Sequence, residues 1–419
     1  MRSIQGINSI GQKLNHLNVF RPIDRSTGDT MFKSIARPLI VSLCIGLSAH
    51  FSHAADALSS NTKKPLALAD QGYFFVNGKY IDVGGKKLMT DQMYVQYMIP
   101  KTVKHPYPIV MIHGTAQTGN NFLGTPDGRR GWADYFAAQG YKVYVVDQVG
   151  RARSGDSAEI YGPYARFGAR DLELVFTGQE NFNLFPQAKL HTQWPGGPGV
   201  VGNPSFDQFY AQQVEFIANG TKTEELMYPA DVALLEKIGP AIVLTHSQSG
   251  VFGWKISDAR PDLVKAHIAV EPNGPPFYDV SFLGGENWYK DSDNVARAWG
   301  ITRIPLKYDP PTDNAAELKM VRQEKSDSPE LMRCWLQAEP ARQLPNMKNI
   351  PTVIVTGEAS FRATLDHCTS KFLTQAGVKN QHMRLENEGI KGNGHMMMLE
   401  KNSDQVAQAI GKWIQTNVK

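Results

Sequence analysis

A succession of short apolar runs, each separated from the next by a stretch of helical composition, constrains this chain more than any other feature. The runs fall at residues 107–112, 142–147, 241–245, 266–270, 351–356 and 381–385, with helical stretches at 131–139, 229–238, 368–376 and 402–416. Strands that alternate with helices pair in parallel, because a helical crossover returns the chain to the same end of the sheet. The expected fold is therefore α/β, with a mostly parallel sheet and helices on both faces. Residues 73–99 read differently, as an opening antiparallel meander with turns at Asn77-Gly78 and Gly84-Gly85. Two long segments interrupt the alternation. Residues 151–227 are rich in Gly, Pro and aromatics, and residues 272–349 lose strand periodicity and read as a helical, aromatic lid.

Residues 31–54 have the layout of a secretory signal peptide: a basic head (Lys33, Arg37), an apolar run over 39–51 and the small-residue exit Ser52-His53-Ala54. The run is shorter than the roughly 20 residues of a membrane span, so cleavage after Ala54 or Ala55 is expected, with an uncleaved anchor as the other reading. Residues 1–30 read as neither domain nor targeting signal, and Met31 is a candidate initiator. The domain that remains, 55–419, carries 38 basic and 38 acidic side chains. It has no net field to attract nucleic acid or an anionic membrane. Cys44 leaves with the leader, and Leu43 before it is too large for a lipoprotein site. Cys334 and Cys368 remain, and in an oxidising compartment they are expected to pair, two separate buried thiols being the alternative. A periplasmic or secreted protein follows.

The segment A-I-V-L-T-H-S-Q-S-G-V, residues 241–251, places Ser247 between an apolar strand and a helix-compatible stretch. That is the setting of a nucleophile elbow, whose usual Gly-x-Ser-x-Gly pattern lets the backbone turn sharply and expose the hydroxyl. Here Thr245 and Ser249 stand in for the glycines, and a serine-rich turn would read similarly. A serine hydroxyl also needs a base. His395, in G-N-G-H-M-M-M at 392–398, follows the last strand and precedes the terminal helix, which makes it the candidate.

With H-G-T at 113–115, D-Q-V-G-R-A-R-S-G at 147–155, T-H-S-Q-S-G at 245–250 and G-H-M at 394–396, the chain resembles the α/β-hydrolases. Q-M-Y-V-Q-Y at 92–97, T-P-D-G-R-R-G-W at 125–132 and V-E-P-N-G at 270–274 are similar to a group of exported bacterial esterases whose triad glutamate follows the sixth strand. The resemblance implies an α/β-hydrolase sheet with an inserted lid, and a Ser247–His395–Glu271 triad. It further implies an oxyanion hole from the N–H groups of Gln248 and of Thr115 or Ala116. His113 and His246 then read as structural. The acid is the open point, since this fold often takes it from a G-x-x-D after the seventh strand. Ser360 occupies that aspartate position, and Glu358 is the rival carboxylate.

These residues imply an acyl-enzyme mechanism on a small-molecule ester, with lactonase, lipase and peptidase as enzymatic rivals and a silent binding module as the non-enzymatic one. The aromatics of the two long segments suit an apolar or aromatic ester. No cofactor or metal is expected, because no H-E-x-x-H or C-x-x-C spacing occurs. Oligomeric state stays open.

Overall fold

The computed structural model describes residues 65–419; the expected leader and signal peptide lie outside the described residues. The main sheet contains β1 (Leu68–Val83), β2 (Lys86–Pro100), β3 (Ile109–Ile112), β4 (Val143–Asp147), β5 (Ala241–His246), β6 (Val264–Val270), β7 (Thr352–Thr356) and β8 (Asn380–Arg384). Their spatial order is β1-β2-β4-β3-β5-β6-β7-β8. The β1–β2 and β2–β4 pairs are antiparallel, and every pair from β4 through β8 is parallel.

Helices cover both faces because successive strand side chains point to opposite sides. In β3, Ile109 and Met111 join a core with Trp132 and Phe136 of α1 (Trp132–Ala138) and with Ile410 and Ile414 of α5 (Ser403–Asn417). Val110 and Ile112 face the other way. They pack with Leu226 and Leu235 of α2 (Gly220–Ile238) and with Val251 and Phe252 of α3 (Gly250–Ala259). On this second face Ile354 of β7 meets Phe372 and Leu373 of α4 (Asp366–Gln375). Strands buried on both faces carry mostly apolar runs, which is why β3, β5, β6 and β7 were legible.

Three local expectations are corrected. Gly84-Gly85 forms the two-residue turn of the opening hairpin, with φ of 55° and 78° and Val83 opposite Lys86. Asn77-Gly78 does not turn the chain: it lies inside β1 opposite Gln92 and Asp91, and its positive φ values are absorbed as a local twist of a long ribbon. Pro229 does not open its helix. α2 starts at Gly220, where Asn219 Oδ1 accepts the Lys222 N–H, and burial of Leu226 and Met227 outweighs the hydrogen bond that the proline cannot donate. The 272–349 segment is not helical. Its regular parts are the ribbons Tyr278–Phe282 with Tyr289–Val295 and Met320–Arg322 with Trp335–Gln337, plus one 3-10 turn at Ala315–Glu317. Prolines at 272, 275, 276, 305, 310, 311, 329, 340 and 345 deny it a long helix.

Cys334, beside the second ribbon, is disulfide-bonded to Cys368 in α4 across a separation of 34 residues, and both are fully buried. Closing a loop of that size stabilises by about 3 to 4 kcal/mol through the unfolded state. The Cys334→Ala/Cys368→Ala double variant is expected to lose stability of that order in urea unfolding. An unchanged midpoint would contradict this.

Candidate active site

Ser247 sits where β5 ends and α3 begins, 8% exposed, with φ of 55°. A non-glycine residue in the left-handed region is strained, and such strain persists only where the surroundings hold it. Here the Ser247 carbonyl accepts the Asn273 N–H at 2.8 Å. Ser249 supplies what a glycine would not: its Oγ accepts the His246 N–H at 2.8 Å and lies 2.7 Å from the Ile112 carbonyl. Thr245 Oγ1 is tied to His267 Nε2 at 2.9 Å. The two departures from the usual elbow pattern therefore brace it with side-chain hydrogen bonds.

His395 arrives from the loop after β8. Its Nδ1 is 2.6 Å from Glu271 Oε2, and neither side chain is exposed. Phe176 and Phe361 pack on the imidazole with ring centroids 4.8 Å away, and His246 does so at 4.6 Å. Nε2 has no hydrogen-bond partner among the described residues. Burial, with smaller contributions from His246 and Arg362, holds the imidazole well below its usual pKa and so neutral near pH 7. A neutral ring that donates from Nδ1 keeps the lone pair on Nε2, the state a general base requires.

Glu271 directly follows β6, with φ of 47°. Its Oε1 accepts the Gly357 N–H at 2.8 Å, and its Oε2 accepts the Ser360 hydroxyl at 2.6 Å. Burial and the nearby Asp366 push this carboxyl up, whereas Ser360, Gly357 and Arg362 favour its ionised form. The loop after β7 thus contributes two donors to Glu271. Ser360, at the aspartate position, holds Glu271. Glu358 lies elsewhere, its Oε2 accepting the Gly392 N–H at 2.8 Å.

The other expected residues separate cleanly. Thr115 and Gln248 line the same cavity as Ser247, while Ala116 is fully buried behind them with φ of 59°. His113 donates from Nδ1 to the Gly114 carbonyl and accepts the Gln148 N–H at Nε2. Burial holds it at about 3, which fits a structural histidine. His246 Nε2 donates to the His395 carbonyl at 3.0 Å, and burial likewise keeps its pKa at about 3. The group with metal-ligand proximity among the described residues, Cys334, His367 and Cys368, has both sulfurs committed to the disulfide.

The cavity over Ser247 holds about 480 Å³, walled by Phe176, Phe216, Phe282 and Phe361, with Asn273 and Arg362 at its polar side. Of the other aromatics in the two long segments, Phe167 also borders it. Trp194, Phe209, Phe277 and Trp299 pack into cores instead. Sequence reasoning missed Phe176, Phe361 and Arg362, for which neither periodicity nor motif gives a signal.

A profile of the Alpha/beta hydrolase family matches residues 109–409. A probable secreted lipase, phiG, of Fungal sp. (strain ATCC 74256) is 45% identical over 344 residues, covering 82% of this chain and 89% of that protein. A novel bacterial esterase solved at atomic resolution shares the fold, with a TM-score of 0.58 and 24% identity over 85% of this chain and 98% of its own. The chain belongs to the Alpha/beta hydrolase family.

Proposed function

We propose that this protein is a serine hydrolase that cleaves carboxylic esters by double displacement. Ser247 Oγ attacks the ester carbonyl carbon while its proton passes to His395 Nε2. The tetrahedral oxyanion is held by the N–H groups of Gln248 and of Thr115 or Ala116, and the alcohol leaves with the proton from His395. Water then repeats the sequence on the acyl-enzyme, releasing the acid and restoring Ser247. Glu271 keeps His395 in the tautomer that receives the proton and stabilises the imidazolium. No metal or organic cofactor enters this scheme.

The observations that carry the reading are the buried Glu271–His395 pair, whose Nε2 has no hydrogen-bond partner among the described residues, and the strained serine elbow at Ser247. The aromatic cavity supports apolar or aromatic small-molecule esters. A longer acyl chain is the second reading, favoured by the relative named a probable secreted lipase. That relative and the buried disulfide also support export to the periplasm or medium. Among the described residues no helix is long and apolar enough to cross a membrane. A panel of p-nitrophenyl esters of increasing acyl length, run beside lactones and amides, tests the reading. Short or aromatic esters are expected to give the highest kcat/KM, a long-chain optimum would favour the lipase reading, and amide or lactone preference would overturn both.

A further inference from the structure

His191, in the segment between β4 and α2, is 1% exposed and lies between two carboxylates. Its Nδ1 is 2.8 Å from Glu180 Oε2 and its Nε2 is 2.8 Å from Glu400 Oε1. Glu400 is fully buried, and it also grips the loop that carries His395: Oε1 accepts the Gly394 N–H at 2.8 Å and Oε2 accepts from Asn393 Nδ2 at 2.7 Å. The neighbouring backbone is joined as well, with the Thr192 N–H donating to the Gly392 carbonyl at 3.1 Å and the Lys401 N–H to the Gln193 carbonyl at 2.9 Å. The approach is close enough to explain a glycine before His395. A Cβ at Gly394 would run first into Gln179 Nε2, and would also meet Glu400 Oε1 at 3.0 Å and His191 Cδ2 at 3.1 Å.

We propose that the Glu180–His191–Glu400 cluster is a charged clamp fastening the inserted segment to the base loop, and that protonated His191 is a positioning residue for His395. This rests on the reading of His395 as the base. An imidazolium donates from both nitrogens and so satisfies both carboxylates at once; a neutral ring donates from one only. Losing the proton would leave the buried Glu400 and the partly exposed Glu180 sharing one donor, a costly arrangement that relaxes by parting the insertion from the loop.

The charged groups around the cluster are few. Glu180 and Glu400 face His191 directly, Arg129 donates to the Leu399 and Glu400 carbonyls, and Glu358 accepts from Gly392. Lys189, Lys391 and Lys401 are exposed. Burial alone would lower the His191 pKa, but hydrogen bonds and charge from Glu180 and Glu400 raise it to about 9. With the folded value above the ordinary 6.5, the clamp is complete below about 6.5 and is lost as pH climbs through about 9.

The test is the pH dependence of kcat/KM from 6 to beyond 10 on a p-nitrophenyl ester, with His395→Gln as a control for the base. Wild type is expected to show an alkaline fall centred near 9. Glu180→Gln, which alters the partly exposed arm of the clamp and preserves folding, should move that midpoint down by about one unit. His191→Gln should be less active at neutral pH and should lack the fall. Burial lowers the pKa of the Arg151 guanidinium, but an arginine keeps its proton through this range, so its bonds to Gly114 and Gln248 persist and it contributes no alkaline fall. An alkaline midpoint unmoved in Glu180→Gln, or retained in His191→Gln, would overturn the clamp. Activity retained in His395→Gln would instead overturn the base assignment.

Discussion

Ser247→Ala is expected to reduce ester turnover by about 10⁴- to 10⁶-fold and to abolish labelling by a fluorophosphonate, with thermal unfolding close to that of wild type. The substitution removes one hydroxyl from the mouth of the cavity and leaves the backbone that makes the turn in place. Ser247 Oγ has no hydrogen-bond role in holding the elbow; that role belongs to its carbonyl, through Asn273, and to Ser249. Ser249→Ala should therefore behave in the opposite way. It should retain labelling while losing about 1–3 kcal/mol of stability, because the buried His246 N–H loses its acceptor. Labelling of the Ser247→Ala protein together with its loss in Ser249→Ala would place the nucleophile at the wrong serine.

That contrast marks how far the chain could be read without coordinates. β5 and β6 were legible because both of their faces are buried, so the strands are mostly apolar, and each runs into a reactive polar side chain, Ser247 after His246 and Glu271 after Val270. Ser247 and Glu271 were found at those ends for that reason. The segments that lack a period were legible only as composition. The aromatics of 272–349 suggested a helical lid, yet its prolines leave only short ribbons, and what fixes them is contact with the rest of the molecule. Pro229 misplaced a helix start because local propensity was weighed without the burial of Leu226 and Met227. His191 gave no signal at all. Its partners Glu180 and Glu400 are separated by most of the chain, and no pattern in sequence brings them to one side chain.

The proposal of Glu271 as the acid rests on the donors that converge on it. Glu271 receives Gly357 N–H on one oxygen and Ser360 Oγ–H and His395 Nδ1 on the other. A carboxylate can accept all three, and a glutamine cannot. In Glu271→Gln the amide nitrogen must face either the Gly357 N–H or the two groups on the Oε2 side, setting donor against donor, and the charge that stabilises a protonated His395 is gone. If the amide donates to Nδ1, the imidazole is also turned into the tautomer whose Nε2 carries a proton and cannot accept one from Ser247. Turnover is expected to fall by about 10³- to 10⁴-fold with little change in KM, since Glu271 is fully buried and does not border the cavity. Glu358→Gln should remain within about tenfold of wild type, because the amide oxygen can still accept from Gly392 and only a contact to the base loop is weakened. Steady-state kinetics of the two variants side by side separate the possibilities. Near-normal turnover in Glu271→Gln beside collapse in Glu358→Gln would move the acid to the loop after β7 and make Glu271 a structural carboxylate under the elbow.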